Sequence, residues 1–321
     1  MVSWDAKENA ICEKGKQMIN ILIVGASGFL GSQLLNRLQK KENIKLFYPS
    51  HAELDALNLE SVREYLKTNR IEYVFHTAAN HAGVGTGVKN ELFFLESNLI
   101  MNYNLVKASY SCGVKKFITF GTSCCYNDPE KEKFYEDDYW TNKSEIAYGT
   151  CKRVMLEQLS LQDKMDWVYL IPPNLYGPGD HFGQKDTHFV PATVKKFDDA
   201  IATGSNEITV WGDGSQMRDF LFIEDLVDVL EMTLENDAYD NQLINIATGC
   251  DVTVKQIVLL IKKYFGHDEV KINWDISKPT GVGKKSLDNH RFMEISPKFK
   301  FTDIENGIRK TIEWHLNGDK Y

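Results

Sequence analysis

Tyr148 and Lys152 stand four residues apart, the spacing that puts two side chains on one face of a helix. An ammonium there favours the phenolate and draws down a tyrosine pKa that is ordinarily about 10, which makes Tyr148 a usable proton donor and acceptor. A hydroxyl at Thr122 would hold the substrate oxygen that Tyr148 protonates, while Cys124 and His188 supply a thiol and an imidazole as a second, separate acid/base pair. One set suits reduction of a carbonyl; the other suits moving protons on carbon. Each part is weak by itself. Tyr-x-x-x-Lys is a common helix-surface pairing, a lone cysteine is more often a small core residue than a base, and a histidine opening a helix is usually solvated or capping.

Weight comes from the elements that would position them. Ile21-Leu22-Ile23-Val24 reads as a buried parallel strand running directly into Gly25-Ala26-Ser27-Gly28-Phe29-Leu30-Gly31, with a helix from Ser32 to Leu38 behind it. In that setting the first glycine makes the tight turn, the second lets backbone approach a pyrophosphate, and the third permits close helix packing. The pyrophosphate would sit on the helix N-terminus.

Downstream the pattern alternates, with strands expected over 20–24, 44–48, 72–75, 116–120 and 166–171 and helices over 28–40, 60–68, 91–112 and 145–161. Such alternation predicts an α/β fold, a doubly wound parallel sheet (Rossmann) with right-handed crossovers. Ligands then lie at the carboxyl ends of the strands, where the glycine loop, His76-Thr77-Ala78-Ala79 and Gly121-Thr122-Ser123-Cys124 all fall. The prolines and glycines of Pro172 to Asp180 break the order and lead into a smaller, mixed C-terminal region. There helices are expected over 189–203, 224–235, 252–265 and 303–316, with a strand at 207–211 and an apolar stretch at 220–223. The expected division starts with an N-terminal extension, 1–17, ahead of Met18; two readings stand for it, with Met18 as the natural start or with the extension as a short helix packed on the surface. A nucleotide-binding domain follows over 18–174, with 219–250 returning to it, and a substrate domain over 175–218 and 251–321.

With 321 residues, 43% hydrophobic and 26% charged, the chain has ample material for a core. A formal charge of -8 supplies no basic surface for nucleic acid or anionic lipid, so phosphates on a ligand must be met by a few local cations. No apolar run is long enough to span a bilayer and no signal peptide is evident, so no membrane partner is expected. The six cysteines show no metal-ligand spacing; they read as reduced thiols of a cytoplasmic protein, with Cys125, Cys151 and Cys250 as packing and no metal site.

At this point the residues resemble a known group. The chain is similar to the extended short-chain dehydrogenase/reductases, and within them to the GDP-L-fucose synthase family, from Met18 almost to its end. The segments that carry the likeness are the glycine loop, Gly121 to Tyr126, Tyr148 with Lys152, Asn174-Leu175-Tyr176-Gly177-Pro178, His188-Phe189-Val190-Pro191, Val210-Trp211-Gly212, Met217 to Leu221, and Lys278-Pro279 leading to Lys284 to Asp288. The resemblance implies an NADP-dependent oxidoreductase with epimerase activity, performing 3,5-epimerisation and 4-reduction of a GDP-linked 4-keto-6-deoxy sugar of the mannose or heptose type. It implies a catalytic set of Thr122 (replacing a serine), Tyr148 and Lys152, with Cys124 and His188 as the epimerisation pair. Substrate contacts would fall on Asn174, Val190, Lys196 (replacing an arginine), Trp211, Arg218 and Lys285; His81 is a further candidate to face substrate from its place in a loop after a strand, in a segment that differs from the family's lysine-containing, glycine-rich version. NADP(H) would be held by Gly25, Ser27, Gly28, Phe29, Leu30, Gly31, Ser50, His51, Asn58, Ala78, Ala79, Lys152, Pro172, Asn174 and Leu175. A homodimer is the family expectation. Three alternatives stand beside this reading: a 4-reductase acting on a pre-epimerised sugar, a UDP-hexose 4-epimerase, and a non-catalytic, cofactor-sensing regulator. A regulator would be expected to lose Tyr148 or Lys152. A dehydratase would need an acid pair directly after the catalytic hydroxyl, where the chain has Ser123-Cys124.

Overall fold

The computed structural model describes residues 18–80, 91–128, 130–141, 143–183, 187–278 and 282–318. The extension 1–17, His81 and Pro279 lie outside the described residues. In chain order the elements begin with β1 (Ile19–Val24), α1 (Phe29–Leu38), β2 (Ile44–Phe47), α2 (Leu59–Thr68), β3 (Tyr73–His76), α3 (Glu91–Cys112), β4 (Lys116–Phe120), β5 (Lys133–Phe134), α4 (Ala147–Leu161) and β6 (Asp166–Ile171). There follow β7 (Asn174–Tyr176), α5 (Phe189–Thr203), β8 (Glu207–Trp211), β9 (Met217–Arg218), β10 (Phe220–Phe222), α6 (Ile223–Glu235), β11 (Gln242–Asn245), β12 (Val252–Thr253), α7 (Val254–Phe265), β13 (Lys271–Asp275), β14 (Lys284–Leu287), α8 (His290–Ile295) and α9 (Ile304–Asn317).

The apolar run of β1 is buried on both sides because its side chains alternate. Ile21 and Ile23 join α1 and α6 through Leu34, Leu38, Leu226 and Leu230, whereas Leu22 faces α3 and α4 through Leu105, Met155 and Leu159. The central sheet is parallel throughout, in the order β11-β6-β4-β3-β1-β2. Order therefore reverses between β1 and β3, and the crevice outside their carboxyl ends is where such sheets take ligands.

A third core belongs to the smaller lobe, where Val194 and Phe197 of α5, Ile257 and Ile261 of α7, and Ile308 and Ile312 of α9 close over Ile208 and Val210 of β8. Each side chain so buried contributes roughly 1.5–3 kcal/mol relative to exposure, so the lobe has a core of its own. Short strands β7 and β10 pair between the lobes, β8 pairs with β13 within the small lobe, and β12-β9-β14-β5 form a four-stranded sheet. The small lobe is thus tethered on one edge by β5, which belongs by sequence to the first half of the chain.

β11 completes the central sheet beside β6. Late in the chain Phe292, Phe299 and Phe301 pack in the same cluster as Ile21 and Ile244, so the segment after β14 also lies on the central sheet's side. The long elements fall close to the expected bounds. Helix α7 starts at Val254 rather than 252 because Thr253 caps it, its hydroxyl accepting from Gln256 N while the Gln256 side chain accepts from Thr253 N. Strands β5, β9 and β12, two residues each, carry no periodicity to be read. No described helix is long and apolar enough to cross a membrane.

Candidate functional site

The loop after β1 is locked to the loop after β3 by close backbone contact. Gly25 has φ +90, and a Cβ on it would lie 2.6 Å from Ala78 N; a Cβ on Gly31 would lie 2.1 Å from the Gly25 carbonyl oxygen. Thr77 Oγ1 donates to the Val24 and Gly25 carbonyls at 2.9 and 3.2 Å. Gly28 caps α1 with no side-chain bond, leaving first-turn N–H groups to be met from outside. A cradle with no room for a Cβ, opening onto a bare helix N-terminus, fits a pyrophosphate. Ser27 and Ala79 are exposed beside it, and Phe29, Leu30 and Ala78 are half-buried. After β2, the Ser50 N–H and hydroxyl both donate to the Glu53 carboxylate at 2.8 Å, and His51 is exposed. Asn58 caps α2, accepting from Glu60 N and Ser61 N. At the far side Pro172 and Leu175 are half-buried, and Asn174 Nδ2 donates to the Asp219 carbonyl at 3.1 Å.

Thr122 follows β4, and its Oγ1 accepts from Cys124 N at 3.2 Å. The Cys124 carbonyl accepts from Ser144 Oγ and Glu145 N, both at 3.1 Å, which ties this turn to the segment feeding α4. Helix α4 delivers Tyr148 and Lys152, with Lys152 Nζ 5.5 Å from the Tyr148 ring centroid. Beneath them Tyr169 Oη donates to the Lys152 carbonyl at 2.7 Å.

Electrostatics here depart from the sequence expectation. Burial lowers the Lys152 pKa to about 8, opposed by the Cys151 and Cys125 thiols, and burial raises that of Tyr148, with Cys124 adding to the rise. Spacing alone makes the lysine assist the phenolate; in the folded chain desolvation of each charged form dominates. Burial also raises the Cys124 thiol, which the Thr122 hydroxyl draws down; Glu145 raises it and Lys285 lowers it. His76, wholly buried at the end of β3, bonds Asn102 at 2.8 Å and is pushed down to about 3 by burial and by Lys152. It stays neutral.

His188 caps the N-terminus of α5 with its side chain exposed, and its ring centroid lies 6.3 Å from that of Phe29 in the glycine loop. Its Nδ1 stands 3.0 and 3.2 Å from the two carboxylate oxygens of the buried Asp180. The bond to Asp180 raises the His188 pKa, with partial desolvation of the ring lowering it by less. A helix N-terminus disfavours a cation by about 0.3–1 kcal/mol, whereas a hydrogen bond to a charged group contributes roughly 1.5–3, so the carboxylate decides the sign.

Around the small lobe's mouth the expected substrate contacts divide. Trp211, at the end of β8, is 54% exposed, free to meet a planar base, against the commoner expectation of a core tryptophan. Val190 is 1% exposed and packs in the small-lobe core, so its side chain faces away from the cleft. Lys196 Nζ donates to the Thr209 carbonyl at 2.8 Å, and burial lowers its pKa. Arg218 donates to the Met217 and Val282 carbonyls at 2.7 and 2.6 Å, and Lys285 is paired with Glu145. A cavity of about 200 Å³ adjoins this pair, lined by Tyr126, Phe134, Glu145, Val282 and Lys284. His81 lies outside the described residues. Cys250 is exposed, which corrects its reading as a packing residue: it follows Thr248-Gly249 on a surface turn.

The fold thus gathers Thr122, Cys124, Tyr148 and Lys152 at the carboxyl end of β4 and on α4, and sets His188 against the glycine loop. Sequence reasoning passed over Asp180 and Glu145. The available signal for the first was an acid closing the Gly177-Pro178-Gly179 turn; for the second, a carboxylate three residues before Tyr148. Among the described residues no cluster of His, Cys, Asp and Glu could hold a metal.

Residues 21–247 match the model of the NAD dependent epimerase/dehydratase family. GDP-L-colitose synthase of Yersinia pseudotuberculosis is 32% identical, with 93% of this chain and 98% of that protein aligned. GDP-L-fucose synthase 1 of Arabidopsis thaliana is 30% identical over 92% of this chain and 93% of that protein. Among solved structures, MlghC, GDP-mannoheptose C4 reductase from Campylobacter jejuni with NADP bound, superposes with a TM-score of 0.82 at 25% identity, covering 93% of this chain and 98% of that one. With the glycine loop at a switch point and likeness along nearly the whole chain, the protein belongs to the NAD dependent epimerase/dehydratase family.

Proposed function

We propose that this chain is an NADP(H)-dependent enzyme that epimerises C3 and C5 of a GDP-linked 4-keto-6-deoxy sugar, of the mannose or heptose type, and reduces C4. What supports it is that two proton-handling sets lie by the carboxyl ends of the central strands: Thr122 after β4 with Tyr148 and Lys152 on the first turns of α4, Cys124 beside Thr122, and His188 beside the glycine loop. A 4-ketone acidifies the hydrogens on both neighbouring carbons, and a thiol and an imidazole can exchange them. Thr122 and Tyr148 stabilise the enolate oxygen during exchange, and Tyr148 then gives its proton to that oxygen. Lys152 holds the cofactor ribose. When bound, the nicotinamide supplies hydride to C4. Gly25, Gly28 and Gly31 with the first turn of α1 would hold the pyrophosphate, Asn58 the adenine, and Ser50 and His51 the 2′-phosphate. Trp211 offers a face to the guanine, and Arg218 and Lys285 meet the diphosphate once Lys285 leaves Glu145. The cofactor choice is supported by the NADP-bound C4 reductase.

The same relative favours a second reading, a 4-reductase only. Mass spectrometry in deuterated water with GDP-4-keto-6-deoxy-mannose, with and without NADPH, separates the two. Deuterium entering C3 and C5 before reduction is expected; reduction with no exchange would leave the second reading, and neither signal would remove both.

We read the central-sheet lobe, 18–174 with 219–250, as the cofactor domain, joined by 290–301, and the remainder as the sugar-nucleotide domain. A homodimer is proposed through α3 and α4. Their outer faces carry exposed Phe93, Ile100, Tyr103, Val154 and Leu161, more apolar surface than a monomer's helix pair usually leaves in water. The described cysteines are free thiols, which fits the cytoplasm.

A further inference from the structure

We propose that Asp180 is the positioning residue for His188, holding its Nδ1–H so that Nε2 is the nitrogen that gives and takes the proton in the cleft. This deepens the epimerase reading and rests on it. Asp180 is 7% exposed and sits directly after a turn whose Gly179 has φ +82, where a Cβ would meet Gln33 Nε2 of α1 at 2.5 Å. The turn therefore lies beside the Gln33 side chain of the cofactor helix, and the Asp180 carboxylate is buried where it meets His188. One of its oxygens accepts from His181 N at 2.7 Å, and both lie within 3.2 Å of His188 Nδ1. A carboxylate accepts only, so the shared proton resides on the imidazole, and the neutral ring is fixed as the Nδ1–H tautomer. Nε2 is then the ring's basic atom, on a side chain exposed to the cleft and flanked by Phe29. Among the described residues Asp180 is the charged group acting on the imidazole. The arrangement is the orienting half of a nucleophile triad, put to use on carbon acids in place of a hydroxyl.

Nitrogen-15 NMR of the His188 ring, with the full chain and no ligand, tests the placement. The wild type should show the Nδ1–H tautomer above its titration and a midpoint above the ordinary 6.5. Asp180→Asn should lower the midpoint and mix the tautomers, and Asp180→Glu should restore part of the shift. With GDP-4-keto-6-deoxy-mannose in deuterated water, D180N should slow exchange by roughly 10²-fold while NADPH affinity is kept. A wild-type Nε2–H tautomer, an unmoved midpoint in D180N, or exchange as fast as wild type at every pH would overturn the assignment. Absence of exchange in the wild type would instead remove the epimerase reading, and the ring's tautomer and midpoint would still decide the placement. Should D180N not fold, the wild-type tautomer alone decides it.

Discussion

At the level of single residues, the two proton-handling sets should fail separately. Tyr148→Phe should cut reduction by roughly 10²–10⁴-fold and leave deuterium exchange at C3 and C5 partly intact, because Thr122 still bonds the enolate oxygen. Cys124→Ser should do the reverse, slowing exchange while NADPH oxidation on a pre-epimerised 4-keto sugar persists; equal losses in both assays would mean that the sets do not divide the chemistry. Lys152 carries a stability signature. Its folded pKa lies near 8 against an ordinary 10.5, so between those values the unfolded chain binds the extra proton and stability rises with pH. Each unit of displacement corresponds to about 1.4 kcal/mol. The ligand-free protein should therefore gain Tm from pH 8 to pH 10 relative to Lys152→Met, in which this contribution is absent; parallel melting curves would count against a buried ammonium. The residue types of both sets were legible in the sequence. The sign of the Tyr148 shift was not, since spacing reports proximity and says nothing of desolvation. Asp180 was hidden for a similar reason: only the folded turn brings it onto His188.

At the level of elements, the glycines of the α1 entrance have distinct duties that substitution should resolve. Alanine at Gly31 places a Cβ 2.1 Å from a backbone oxygen that cannot move away without opening the β1 turn. Overpacking of that kind costs roughly 1–3 kcal/mol, so Gly31→Ala should lower both Tm and NADPH affinity. Gly28 is different. Its φ is -79 and the nearest atom to an added Cβ is the Gly25 oxygen at 3.3 Å, a contact that a small shift relieves. Gly28→Ala should keep Tm near wild type while weakening NADPH by about tenfold, because the methyl stands where the pyrophosphate approaches. Calorimetry and fluorescence titration on the two variants check the contrast; a large Tm loss in G28A would mean that Gly28 serves packing. The strand-loop-helix unit was plain from its apolar run and glycine spacing, as were the long helices from their periodicity. The two-residue strands β5, β9 and β12 were not, because their pairing is set by which segments the two lobes bring edge to edge.

At the level of the whole molecule, α3 and α4 connect the reaction to the outer surface. Helix α3 buries Met101 and Leu105 beside Asn98, Asn102 and Asn104 on its inner side, and leaves Phe93, Ile100 and Tyr103 exposed on its outer side. Large apolar side chains left on the outside of a helix at the edge of a single chain mark a surface that a partner can cover. On α4 the exposed Val154 and Leu161, seven residues apart, continue the same surface, while Lys152 is turned inward to the site. The two helices are bound side by side: Cys151 Sγ donates to the Leu95 carbonyl at 3.3 Å and Gln158 Nε2 to that of Tyr103 at 3.3 Å. A two-fold axis over this face would bury four helices together and would place each substituted residue in the interface twice. Ile100→Glu with Val154→Glu should therefore give a monomer by light scattering. Because the cofactor loop and both proton-handling sets come from one chain, the monomer should still bind NADPH. Its turnover should fall several-fold, since α4 would lose the support that fixes the inward placement of Tyr148 and Lys152. A dimer that survives both charges would move the interface to another surface; a monomer with full turnover would keep the assignment of the interface to this face but uncouple it from the site.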